Sequence, residues 1–231
     1  MDKMCWCNSL RKVGNMAKEM NERKRREFKL RRDYIIDISE KLFYNKGYEN
    51  VTLNEIADAC EYTKATIYTY LKSKDELYLE VYCRGFEQRT NYLNEHIKHS
   101  VNGFEEIKSF GEAYYNFYAE FPAILYHQQY MDFRPLDPAK MPEELMEKFM
   151  EINTRSSNIV LDALNKGVQD GSIKGDLNVD FFIGQLVMSL RACASAAVYG
   201  RKTVLTLPVS KETNEKWYKM FLNLLLSAIK S

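Results

Sequence analysis

An all-α fold is what this sequence predicts, on three observations. Glycine and proline are scarce, with 10 and 5 copies in 231 residues, too few for the many tight turns of a sandwich or barrel. Apolar residues recur three and four apart in segment after segment, the period of a helix with one buried face. Thr, Ser, Asn and Gly stand between those segments, where helix caps belong. The chain divides into a small N-terminal three-helix bundle containing a helix-turn-helix, joined to a larger helical domain. The expected boundaries are residues 1–26 for a basic arm, 27–73 for the bundle, with its motif at about 52–71, and 74–231 for the larger domain.

Each element has its own justification. Residues 1–26 are polar and basic and end in Glu22-Arg23-Lys24-Arg25-Arg26. They read as a flexible arm or as an extension of the helix that follows, and Met16 and Met20 are alternative starts. Leu30, Tyr34, Ile35, Ile38, Leu42 and Phe43 keep helical spacing, and Gly47 supplies a left-handed cap. Thr52 opens a second helix as a capping box with Glu55, and Leu53, Ile56, Ala57 and Cys60 line one face. Glu61 and Tyr62 make a brief connection. Thr63 then caps a short helix over Lys64–Leu71, with Ile67, Tyr68 and Leu71 available for packing. Ser73 caps a fourth helix from Lys74 to about His99, and Asp75 and Glu76 sit where the helix dipole favours anions.

The pattern stays helical downstream. Helices are expected over Phe104–Glu120 and Ala123–Met131, from Pro142 to about Asp170, and from Asn178 or Asp180 to about Tyr199, with Gly200 as its end. After Thr203–Pro208 a last helix runs from about Lys211 to Lys230. No internal repeat, low-complexity tract or strand pattern stands out.

Charge is uneven along the chain. Residues 1–74 carry 16 Lys and Arg against 11 Asp and Glu, while the remainder carries 17 against 21, although the net charge is only +1. A basic end on an acidic body suits a polyanionic partner at that end. The five cysteines, Cys5, Cys7, Cys60, Cys83 and Cys193, are few and odd in number, which fits free thiols in a reducing cytoplasm. Cys5 and Cys7 lack the second ligand pair that a structural metal needs, and so do His96 and His99, three apart on a helix. No metal or cofactor is expected. No membrane span is expected either, because Gln185 and Arg191 interrupt the longest apolar segment, Phe181–Tyr199. Enzyme signatures are missing: there is no glycine-rich phosphate loop, no Gly-x-Ser-x-Gly and no His-Glu-x-x-His.

The helix pair carries the chemistry. A helix-turn-helix lays its first helix across the phosphate backbone and sends its second into the major groove, N-terminal side chains foremost. Thr63, Lys64 and Thr66 stand at the start of the second helix, with a small Ala65 that permits close approach. Tyr68 and Tyr70 can offer hydroxyls to phosphate, as can Thr52 at the first helix's start. The runs Ile35 to Tyr48, Val51 to Ala57 and Thr63 to Leu77 together resemble the TetR family of transcriptional regulators. The close resemblance covers about residues 33–80, roughly a fifth of the chain. It implies that Thr52, Thr63, Tyr68 and Lys74 contact phosphate, and that Lys64, Ala65, Thr66, Thr69 and Tyr70 face the groove. It also implies a palindromic DNA operator, a homodimer, and a small-molecule effector that releases a repressor. One departure is visible: Glu61 occupies a turn position that the family often gives to glycine, and its charge opposes phosphate.

Two stripes are candidates for the dimer face. Phe181, Phe182, Leu186, Val187, Leu190 and Ala194 form one; Trp217, Met220, Phe221, Leu224, Leu225 and Ile229 form the other. Both also suit an intramolecular core, and the small residues from Ala192 to Ala197 favour close helix approach at an interface. The middle of the domain is rich in aromatics. Tyr114, Phe117, Tyr118, Tyr126 and Tyr130, with His127 and Arg191, are either a packed core or the lining of a cavity for an apolar or aromatic ligand.

Overall fold

The computed structural model describes residues 4–134, 136–199 and 210–231, with side chains from residue 21 onward apart from Lys211. Gly200, the 203–208 connection and the Cys5 and Cys7 side chains lie outside the described residues. Helices α1 (Met4–Lys46), α2 (Leu53–Ala59), α3 (Lys64–Tyr70), α4 (Lys74–His96), α5 (Gly103–Glu120), α6 (Pro122–Phe133), α7 (Glu143–Gln169), α8 (Val179–Tyr199) and α9 (Lys211–Ser227) follow in order. A single 3-10 turn, Pro138–Lys140, precedes α7. Among the described residues no strand forms, only an isolated bridge between Ile173 and Lys230.

The chain folds as two compact units, the first ending at Val81 and the second beginning at Tyr82, within α4. The first unit buries Ile35, Ile36 and Phe43 of α1 with Ile56 of α2, Ile67 and Leu71 beside α3, and Leu77 and Tyr78 of α4. Of the two readings of the basic N-terminal stretch, the extension of the following helix is the one that forms: α1 is one helix of 43 residues. No proline interrupts it, and Glu27 pairs with Arg31 one turn on, at 2.6 Å. The capping box at α2 forms: Thr52 Oγ1 accepts the Glu55 N–H at 3.2 Å, and the Glu55 carboxylate, which also pairs with Lys46, takes a hydrogen bond from the Thr52 backbone.

The second unit is built around α5, which packs against α6, α7, α8 and α9. Ile107, Phe110, Tyr114, Phe117 and Tyr118 give α5 its buried face. The approach of α5 to α7 is set by two glycines: a Cβ on Gly103 would lie 2.1 Å from the Gly167 backbone nitrogen, so only glycine fits there. Tyr218 of α9 is buried and donates its hydroxyl to the Gly111 carbonyl of α5 at 2.9 Å. The last helix stops at Ser227, short of the expected Lys230, because the backbone turns to pair with the α7–α8 connection. Lys174 N–H donates to Ile229 O at 2.9 Å and Ser231 N–H to Ser172 O at 3.3 Å. By length and apolarity α8 could cross a membrane, yet one of its faces, with Leu186, Leu190 and Ala194, belongs to this core.

Candidate functional site

The turn between α2 and α3 is resolved residue by residue. Glu61 adopts φ +58°, the left-handed conformation that the glycine-free sequence made questionable. Its N–H donates to Asp58 O at 3.1 Å, and the Tyr62 N–H donates to Ala57 O at 2.8 Å. These are the two bonds of a Schellman cap, so the glycine geometry forms without glycine. Thr63 Oγ1 then accepts the Thr66 N–H at 3.1 Å and starts α3.

Burial sorts the residues of α3. Ile67 and Leu71 are fully buried and anchor the helix. Lys64, Ala65, Tyr68 and Thr69 are exposed, and the spacing i, i+1, i+4, i+5 puts them on one face. Thr52 and Thr63 are exposed at the starts of their helices. Thr66 and Thr69 are partly committed: Thr66 Oγ1 lies 2.9 Å from Thr63 Oγ1, and Thr69 Oγ1 donates to Ala65 O at 3.3 Å. Tyr70 is half-buried, and its ring meets Phe28 of α1 at a centroid distance of 4.6 Å. That contact ties α1 to α3 just after the exposed run Arg23-Lys24-Arg25-Arg26.

Lys74 holds the fold of this site together. Its ammonium donates to Tyr48 O and Val51 O, both at 2.9 Å, and lies 4.0 Å from the centre of the Tyr48 ring. Burial lowers the Lys74 pKa from its ordinary value, and Asp75 partly opposes this. The ammonium thus clamps the loop that carries Thr52 into place, a job the sequence did not suggest.

In the second unit, a cavity of about 460 Å³ opens between α4, α5, α7 and α8. Of the expected ligand contacts, Tyr114 and Arg191 line it; Phe117, Tyr118, Tyr126, His127 and Tyr130 are not among its lining residues. Phe117 and His127 are buried, and Tyr130 accepts a hydrogen bond from Arg134 at 2.9 Å. Tyr118 stands behind the wall, donating to Gln128 and accepting from Arg89 at 3.0 Å. Burial raises its hydroxyl well above the ordinary tyrosine pKa, keeping it protonated. Arg89 is the residue sequence reading missed. It sits in the middle of a helix among ordinary charged positions, so only the fold shows that it points inward, 3% exposed.

The proposed dimer stripes also separate. Leu186, Leu190 and Ala194 are fully buried within this chain, so they belong to its core and cannot form an interface as expected. Phe182, Phe221 and Leu225 are half-buried against the same core. The accessible apolar side chains lie on the opposite sides of the two helices: Phe181 and Met188 on α8, and Trp217, Met220 and Leu224 on α9. His96 is exposed and stacks on Tyr92 at 3.8 Å, and no cluster of metal ligands occurs among the described residues. Cys60, Cys83 and Cys193 are buried and in no disulfide, and burial pushes Cys60 and Cys193 up to about 11.

Known proteins resemble both units. Residues 35–81 match the family model described as bacterial regulatory proteins, tetR family. The HTH-type transcriptional repressor KstR2 of Mycolicibacterium smegmatis is 27% identical over 153 residues, covering 65% of this chain and 71% of that protein. The fatty acid metabolism regulator protein of Bacillus subtilis is 25% identical over 145 residues, 63% of this chain and 72% of its own. Among solved structures, FadR from Bacillus subtilis in complex with stearoyl-CoA shares the fold with a TM-score of 0.65 at 21% identity, covering 85% of this chain and 98% of that one. The ketosteroid transcriptional regulator KstR2 of Mycobacterium tuberculosis gives 0.59 at 19% identity, covering 87% and 95%.

Proposed function

We propose a function that proceeds from one premise: the chain belongs to the TetR family of bacterial regulatory proteins. It is a DNA-binding transcriptional regulator and not an enzyme. In our reading it is a cytoplasmic homodimeric repressor that binds a palindromic operator and releases it when a small molecule with an apolar body occupies the second unit. The observation that carries this reading is the exposed face of α3, held by two buried anchors and two capped helix starts.

On that face Lys64, Ala65 and Thr69 meet base edges, while Thr52, Thr63 and Tyr68 bond phosphate oxygens, the positioning contacts of such a complex. Thr66 and Tyr70 support the face from its edges, and Lys74 fixes the preceding loop besides lying near the backbone. A single module reads few base pairs, so two copies would read successive major grooves, about 34–36 Å apart. The apolar side chains exposed on α8 and α9 support the dimer, and an interface there accounts for α8 better than a bilayer does. The cavity in the second unit supports an effector site, being within the roughly 300–1,000 Å³ usual for small ligands. That a structural neighbour was solved with stearoyl-CoA supports an effector with an acyl or similar apolar part. An effector acts only if it binds the DNA-incompetent state more tightly, and α4, shared by the two units, is the segment through which it would act.

Selection of bound sequences from a random DNA pool, at near-physiological salt, tests the reading. Enrichment of a palindrome with half-sites one helical turn apart is expected. Binding without any sequence enrichment, or a single unpaired half-site, would refute it.

A further inference from the structure

Arg89 is an unusual charge. Its guanidinium is almost wholly buried on the cavity wall, and among the described residues it has no carboxylate partner. Its bonds go to neutral hydroxyls, Tyr118 at 3.0 Å and Ser156 at 2.8 Å, and the Phe86 ring lies 4.0 Å away. Nε, buried as well, has no hydrogen-bond partner. Leaving a cation in such surroundings is costly unless something negative completes it. A second guanidinium, Arg191, lines the same cavity beside the Tyr114 hydroxyl, and its own Nε is also buried without a hydrogen-bond partner. Arg191 is paired with Asp132, so one of the two positive charges is compensated.

The remaining acid on the wall does not complete Arg89. Asp180 is exposed on the first turn of α8, eleven residues from Arg191, about 16 Å along a helix that rises about 1.5 Å per residue. Ile183 and Val187 lie between them on the same wall, joined by Leu93 and Val160 from other helices. The cavity is therefore cationic at one end and apolar along its length. A neighbouring cleft of about 370 Å³ shows the contrast. There Arg155 pairs with Glu87 at 3.3 Å and Glu106 with Lys166 at 2.5 Å, so its arginine, unlike Arg89, already has a carboxylate.

We infer that the effector is an amphipathic carboxylate, its acid group held by Arg89 with Tyr114 and Arg191 and its apolar body lying along α8. This rests on the reading of the second unit as the effector domain and adds the charge of the ligand to it. Arginine suits the task because its planar fork matches a carboxylate.

Matched probes on the full-length protein test the charge directly. Calorimetric titration compares 2-naphthoate and decanoate with 2-naphthamide and decanamide, which have nearly the same shape but no charge. At least one acid should bind, and about 10- to 100-fold more tightly than its amide. Arg89→Met should erase that preference, and Arg89→Lys should restore part of it. The comparison on the unaltered protein stands even if Arg89→Met fails to fold. Equal binding of acid and amide, or no binding of either acid, overturns the inference. So does binding of decanoyl-CoA while both free acids are inert, since phosphate would then be the recognised anion. DNA selection on the same preparation separates the failures. A protein that selects an operator but ignores the acids defeats only this inference, and one that prefers the acids but selects no DNA defeats only the regulator reading.

Discussion

Glu61 bears two costs at one position. A side chain in the left-handed region costs about 1–2 kcal/mol, and a carboxylate beside the helix proposed to enter DNA would oppose phosphate. Glu61→Gly removes both and adds the entropy cost of glycine, about 0.5–1 kcal/mol. The net expected gain is about 0.5–1 kcal/mol in stability, read by urea denaturation, with tighter DNA binding in a gel-shift titration. Lower stability would mean that the Glu61 side chain makes up for its own backbone strain. On the neighbouring face, Tyr68→Ala should weaken binding to every DNA sequence, whereas Lys64→Ala should change which sequences are preferred. Identical selection profiles for wild type and Lys64→Ala would remove Lys64 from base recognition. These residues were legible in the sequence because caps, anchors and exposed positions of a short helix all follow local spacing. The clamp made by Lys74 was not, because its acceptors, Tyr48 O and Val51 O, are brought to it by folding.

At the scale of elements, the packing of α5 on α7 depends on backbone contact. Gly103→Ala puts a methyl group into the Gly167 backbone and should cost about 3 kcal/mol, the upper end of overpacking effects, measurable as a lowered denaturation midpoint. The same helix pair carries a charge lock. Burial of Glu106 alone would raise its pKa, but the Lys166 ammonium at 2.5 Å and the Ser100 N–H outweigh this and hold the carboxyl below its ordinary value. A lowered folded pKa means that the contribution is complete above the unfolded value and is lost as pH falls through the folded one. Melting temperature should therefore drop on acidification through the carboxylate range, and Glu106→Gln should flatten part of that drop. Superimposable pH profiles would show that Glu106 contributes nothing to it. Helix positions downstream were readable from periodicity to within a few residues. The early end of α9 was not, since it comes from pairing with a turn far away in the chain.

For the whole molecule, the distinction between core and interface is a distinction of reach. Leu224 is 70% exposed and Leu186 fully buried, though both occupy apolar stripes in the sequence. Leu224→Asp should leave the fold intact and convert dimer to monomer in sedimentation analysis, with loss of operator binding. Leu186→Ala should instead lower stability by about 2–5 kcal/mol. A dimer that survives Leu224→Asp would move the interface elsewhere.

By itself the sequence determined the helical class, the order of the helices, the caps of α2 and α3 and the two residues, Ile67 and Leu71, that anchor α3. All of these depend on neighbours a few positions away, so local spacing encodes them. Only the tertiary structure decided which side of α8 and α9 is covered, where Lys74 donates, and that Arg89 is buried with no carboxylate partner among the described residues. Each of those depends on which distant helix lies opposite, and a periodic pattern records that a face is apolar without recording what faces it.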